Sequence, residues 1–184
     1  MNLPVLVVII AVALVVLVLV VSYNKLVRLR NAVAEGFSQI DVQLQRRNDL
    51  IPNLVETVKG YASHEREALE AVVNARSQGM GASSVAEKAA ADGVLTGALR
   101  QLFALSESYP DLKASANFLA LQEELATTEN KLSFARQRYN DQVRALNTAI
   151  ETLPTRFAAG LAKATQAEYF EAESAARTVP QVRF

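Results

Sequence analysis

The chain has 184 residues, with 19 Lys and Arg against 19 Asp and Glu, so no overall basic field would recruit nucleic acid. It has no cysteine, which excludes disulfides, thiolate metal sites and a thiol nucleophile, and His64 is its single histidine. Abundant alanine, few glycines and prolines, and scarce β-branched alternation beyond the N-terminus predict an all-α fold of helices packed on helices.

The first 24 residues carry no Asp, Glu, Lys, Arg or His, and Leu3 to Val21 is almost pure Val, Leu, Ile and Ala. At 1.5 Å per residue that run spans about 28 Å, close to the hydrocarbon thickness of a bilayer. A cleaved signal peptide would show a basic start, a shorter apolar core and a small-x-small cleavage site. Met1 to Pro4 lacks Lys and Arg, the run is too long, and Val20-Val21-Ser22-Tyr23 offers no Ala-x-Ala. Residues 1–23 are therefore expected to be an uncleaved transmembrane anchor, with Pro4 in its first turn and Tyr23 at the interface. Lys25, Arg28 and Arg30 all precede the first acid, Glu35. The positive-inside rule then expects the N-terminus outside and the rest of the chain in the cytoplasm.

From Phe37 the seam Ile40, Leu44, Arg47, Ile51, Leu54, Val58, Tyr61, Glu65, Ala68, Val72, Ala75 is spaced by threes and fours, one face of a helix. It passes through Pro52, which removes a helical hydrogen bond. The expectation is a kinked, nearly continuous helix to about Gln78, ended by Gly79-Met80-Gly81. Ser84-Val85-Ala86-Glu87 reads as a capping box opening a helix to about Ser108. Gly93 and Gly97 make that helix the weakest. Tyr109-Pro110-Asp111 restarts the chain.

Phe118, Leu121, Leu125, Thr128, Leu132, Ala135, Tyr139, Gln142, Leu146 and Ala149 then repeat at three and four, while Glu123, Glu124, Lys131, Arg136, Arg138 and Arg144 lie off the seam. A helix of about 40 residues is predicted, about 60 Å long and ended by Pro154. Gly160 and a short Ala167–Ala175 stretch follow. The resulting division is a transmembrane anchor (1–23), a cytoplasmic bundle (24–176) and an extended tail (177–184). Three to four helices are expected to close as an elongated antiparallel bundle.

Several stretches carry a resemblance. Tyr23-Asn-Lys-Leu-Val-Arg-Leu-Arg-Asn31, Phe37-Ser-Gln-Ile-Asp-Val-Gln-Leu-Gln-Arg-Arg47, Asp49-Leu-Ile-Pro-Asn-Leu-Val55 and Val58-Lys-Gly-Tyr-Ala62 with His64-Glu65 make up the first half. Tyr109-Pro-Asp-Leu-Lys-Ala-Ser115, Asn117-Phe118, Leu121-Gln122, Thr128-Glu-Asn-Lys131, Phe134-Ala-Arg-Gln137, Tyr139-Asn140 and Pro180-x-Val182-x-Phe184 make up the second. Over nearly its whole length the chain resembles the LemA family of bacterial membrane proteins. The resemblance implies a single-pass protein with a cytoplasmic helical bundle and no assigned enzymatic activity, so no catalytic residues carry over. It also suggests genomic company with membrane-protease and membrane quality-control genes.

Candidate chemistry is sparse. His64-Glu65 lacks the second histidine four positions on that a zincin helix needs. Di-iron sites need Glu-x-x-His on two helices, and Tyr61 stands three before His64. No Gly-x-Ser-x-Gly elbow or phosphate-binding glycine signature is present. No catalytic, cofactor-binding or metal-ligating residue is therefore assigned, and no cofactor is expected.

Asp41, Arg46, Arg47 and Asp49 cluster before Pro52. Arg47, a charge in an apolar seam, calls for a partner, with Asp111 or a carboxylate from Glu123–Glu129 as candidates. Thr128 and Gln142 are read as setting register or facing a partner subunit. Val182-x-Phe184 is read as an apolar tail packing on the bundle.

The expected function is a non-enzymatic scaffold or adaptor of the bacterial inner membrane, self-associating or binding a membrane protein such as a protease. A regulatory input that couples membrane state to a cytoplasmic partner is the alternative. The bilayer is the expected partner surface, with a homo-oligomer possible and no nucleic acid.

Overall fold

The computed structural model describes residues 3–171. The expected extended tail, 177–184, and the end of the Ala167–Ala175 stretch lie outside the described residues. Six helices run in the order α1 (Leu3–Lys59), α2 (Arg66–Gly81), α3 (Val85–Ser106), α4 (Pro110–Lys113), α5 (Ala116–Glu151) and α6 (Thr155–Ala159). No strand occurs among the described residues, so the all-α reading holds. The described residues form two compact units, 3–38 with 137–168 and 39–136 with 169–171, and α1 and α5 contribute to both.

In the first unit the apolar start of α1 is a candidate membrane span, with a mean hydropathy of 3.6 and almost none of it buried among the described residues. Beyond it, Leu26 packs with Leu146, Ala149, Ala158 and Ala162. Phe37 meets Tyr139 with ring centroids 5.9 Å apart. Leu26 thus pairs with later residues of α5 and Phe37 with an earlier one, so the two segments run antiparallel. Gly36 sits where a Cβ would strike the Gln142 amide, and its lack of a side chain permits the close approach. The chain after α5 folds back on it. Tyr139 Oη donates to the Glu168 carbonyl at 2.8 Å, and the Asn147 amide exchanges two hydrogen bonds with the Ala167 backbone. The Leu153–Pro154 peptide is cis.

In the second unit Ile51, Leu54 and Val58 of α1 join Leu69 and Val72 of α2, Leu95, Leu99 and Leu102 of α3, Leu112 of α4, and Phe118 and Leu125 of α5 in one core. The expected capping box is present: the Ser84 side chain accepts from the Glu87 N–H while Glu87 accepts from the Ser84 N–H. Gly93 and Gly97 of α3 face open space. Pro110 stands at the start of a four-residue helix, and the long helix begins at Ala116.

One expectation is corrected. The helix through Pro52 does not continue to Gln78: it ends at Lys59, and a non-helical segment precedes α2 at Arg66. The stop falls at Gly60, where a helix interior loses about 1 kcal/mol relative to Ala. The segment displaces the seam locally, so Ala62 and Leu69 are buried while Tyr61 is exposed and Ala68 only half-buried, and the expected positions resume at Val72 and Ala75, both buried.

Pro52 itself leaves α1 unbroken. Its missing N–H orphans the Asn48 carbonyl four residues earlier, and Arg76 of α2 supplies the replacement, its Nε donating to that oxygen at 2.8 Å. The proline ring itself is exposed.

Candidate functional site

The most polar part of the second unit's interior is a four-charge cluster. Arg47 on α1 is held in the seam by the spacing Leu44-Arg47-Ile51, and 5% of its side chain is exposed. Its Nη1 donates to Asp92 Oδ1 of α3 at 2.7 Å and lies 2.9 Å from Glu129 Oε2 of α5. Arg136, two turns further along α5, donates through Nη2 to the other Asp92 oxygen and approaches Glu129 at 3.8 Å. Two guanidinium groups thus face two carboxylates, and the cluster is neutral as a whole.

Asp92 is its most enclosed member, with 2% of its side chain exposed. Burial pushes its carboxyl above the usual carboxylate range, against the pull of Arg136 and Arg47. The Arg136 guanidinium also lies 5.3 Å from the centre of the Phe170 ring.

The expected partner of Arg47 is therefore found in part: Glu129 belongs to the region named from sequence, whereas Asp111 is exposed. Asp92 was missed. It lies beside the Ala86–Ala91 run, where small residues on every side hide which face points inward. Arg136, read as part of a solvated face, is instead a member of the cluster. Asp41, Arg46 and Asp49 are exposed; Asp41 pairs with Lys88, and Asp49 accepts from Gln45 at 2.8 Å.

A cavity of about 20 Å³ beside Arg47, Asp92, Asn48 and Gly79 has room for a water molecule but no larger ligand. A shallow groove of about 510 Å³ runs along Leu50, Asn53 and Thr57 of α1 and Asn117, Leu121 and Glu124 of α5. Arg47 meets Glu129, while later residues of α1 line the groove with earlier residues of α5, so the two helices are antiparallel in this unit too.

The remaining polar candidates lie apart from this cluster. Thr128 is buried, and its hydroxyl donates to the Glu124 carbonyl of its own helix at 2.8 Å. Gln142 faces Gly36, and its buried Oε1 has no hydrogen-bond partner. His64 is exposed in the segment before α2. Its neighbour Glu65 accepts from Tyr109 Oη at 2.8 Å, and that hydrogen bond raises the Tyr109 phenol above its ordinary pKa. Among the described residues no group of three His, Cys, Asp or Glu side chains is placed to hold a metal ion.

The family model described as the LemA family matches residues 36–184. The chain is 24% identical over 186 residues to magnetosome protein MamQ 2 of Paramagnetospirillum magneticum, covering 87% of this chain and 68% of that protein. It is 25% identical over 193 residues to magnetosome protein MamQ of Magnetospirillum gryphiswaldense, covering 89% and 71% respectively. It is 28% identical over 136 residues to protein LemA of Metamycoplasma hominis, covering 72% and 61%. On the extent of the family match, the chain belongs to the LemA family.

Proposed function

We propose that the protein is a non-enzymatic scaffold or adaptor anchored in the bacterial inner membrane, with its N-terminus outside and its helical units in the cytoplasm. In this reading it binds further copies of itself or another membrane protein, such as a protease. The observation that carries the anchoring is the first part of α1, an apolar helix surface that the other described residues leave uncovered. Such a surface is stable in lipid and costly in water. The cationic flank Lys25, Arg28 and Arg30 supports the orientation.

The non-enzymatic part of the reading is supported by the disposition of the buried charges. Arg47, Asp92, Glu129 and Arg136 engage one another, which suits a register-fixing element more than a reacting centre. Crosslinking in intact membranes, followed by mass spectrometry, tests the reading. Recovery of crosslinked copies or of a reproducible membrane partner supports it, and monomer alone under several crosslinking chemistries refutes it.

A regulatory role is the second reading, favoured by α3, where exposed Gly93 and Gly97 weaken the helix that carries Asp92. It requires two states of the second unit. Hydrogen exchange in α3 that is identical across membrane and stress conditions removes it.

A further inference from the structure

The chain that follows α5 in the first unit is inside out for a water-facing segment. Its inward positions are small: Thr155, Ala158 and Ala162 are buried, the two alanines against Leu26 of α1. Its outward positions are large and apolar: Leu153, Phe157 and Leu161 are 67%, 70% and 72% exposed. They are spaced by four: Phe157 lies in α6, and Leu161 follows in the turn where the Ala162 N–H donates to the Ala158 carbonyl at 2.9 Å. Ordinary amphipathic segments place those side chains the other way round.

The level of this segment along α1 says what covers it. Arg30 Nη1 donates to the Ala162 carbonyl at 3.2 Å, and Ala158 and Ala162 pack on Leu26. Leu26 lies five residues past Val21, the end of the apolar run, or about 7.5 Å along the helix axis. The headgroup layer of one leaflet is about 5–8 Å deep. Ser22 is only 3% exposed although Val21 and Tyr23 beside it are exposed, so the packed layer reaches down to the last turn of the span. Charge agrees with position. Between Thr152 and Ala167 the ionisable side chains are Arg156 and Lys163, and Lys25, Arg28 and Arg30 precede the first acid of the chain. Both stretches are cationic without an acid, as the surface of an anionic leaflet favours.

We propose that Leu153, Phe157 and Leu161 form a second, interfacial membrane contact, inserting at the acyl boundary of the leaflet that α1 leaves, with Arg156 and Lys163 at the phosphates. The proposal rests on α1 spanning the bilayer, and the test separates the two.

The sequence has no tryptophan, so single indoles can be introduced as reporters. Phe157→Trp, Leu161→Trp and, within the span, Leu14→Trp are each made in the full chain. Each is reconstituted in vesicles of phosphatidylcholine with a minority of phosphatidylglycerol, with and without acyl-brominated lipid. The expected result is bromolipid quenching of the Phe157→Trp and Leu161→Trp emission by about half, blue-shifted spectra and protection from aqueous acrylamide. Full acrylamide access with no bromolipid quenching, while the Leu14→Trp reporter is quenched by bromolipid, overturns the contact and leaves the span standing. Blue-shifted emission that bromolipid does not quench means that the patch is covered by protein, another copy included, and also overturns it. Loss of bromolipid quenching in Leu14→Trp removes the span and the contact together.

Discussion

Arg76 repairs a defect that Pro52 creates, and the two residues should therefore be energetically coupled. The Arg76 Nε to Asn48 carbonyl hydrogen bond is 2.8 Å long and half-buried. Hydrogen bonds from charged groups contribute about 1.5–3 kcal/mol, and partial exposure puts this one at the low end. Arg76→Met keeps most of the stem and removes the donor, so it should destabilise the second unit by about 1.5 kcal/mol. With Pro52→Ala, residue 52 regains an N–H directed at the same carbonyl, and the helix recovers its own bond. In that background Arg76→Met should cost about 0.5 kcal/mol, leaving a coupling of about 1 kcal/mol, beyond the scatter expected of independent sites. Urea unfolding of the full chain in mild detergent, followed by circular dichroism, gives the four free energies. Equal costs of Arg76→Met in the two backgrounds would refute the reasoning.

Other expectations follow from the same unit and its neighbour. Asp92→Ala removes the most buried carboxylate and leaves two guanidinium groups to share Glu129, which should cost about 3–5 kcal/mol in the same unfolding assay, whereas Glu129→Ala, at the cluster's exposed edge, should cost about 1 kcal/mol or less. Gly93→Ala and Gly97→Ala, which meet open space, should each raise stability by about 0.5–1 kcal/mol, seen as slower hydrogen exchange across α3. Gly36→Ala pushes a methyl into the Gln142 amide and should lower the midpoint of thermal unfolding, with Gln142→Ala restoring most of the loss.

The Glu87 carboxyl accepts hydrogen bonds from the Ser84 and Ser83 backbone, which lowers its pKa from 4.5 to about 2. Because the folded value is the lower one, its contribution is complete above pH 4.5 and is lost as pH falls toward about 2. The stability gap between wild type and Glu87→Gln should therefore narrow across that interval in acid titrations of thermal unfolding.

Much of this fold is legible in the sequence because α5 declares itself. Phe118, Leu125, Thr128, Leu132, Tyr139, Leu146 and Ala149 are all buried, as their spacing predicts. Arg47 is legible as a buried charge for the same reason. The break after Lys59 is not, because Tyr61, Glu65 and Ala68 happen to continue the three-and-four spacing across a segment that is not helical. The overlooked signal is Lys59-Gly60, a basic last turn followed by glycine. Pro52 misleads in the opposite direction: its local rule is sound, but a donor 24 positions later, Arg76, overrides its effect. The outward apolar face around Phe157 is invisible to periodicity, which assumes water outside.

The ring of four charges has an evolutionary corollary. A hydrophobic seam accepts one aliphatic residue for another, but a closed set of two cations and two anions accepts only balanced exchanges. Drift at positions 47, 92, 129 and 136 should accordingly be concerted, so that relatives either keep the quartet or replace it together with uncharged residues.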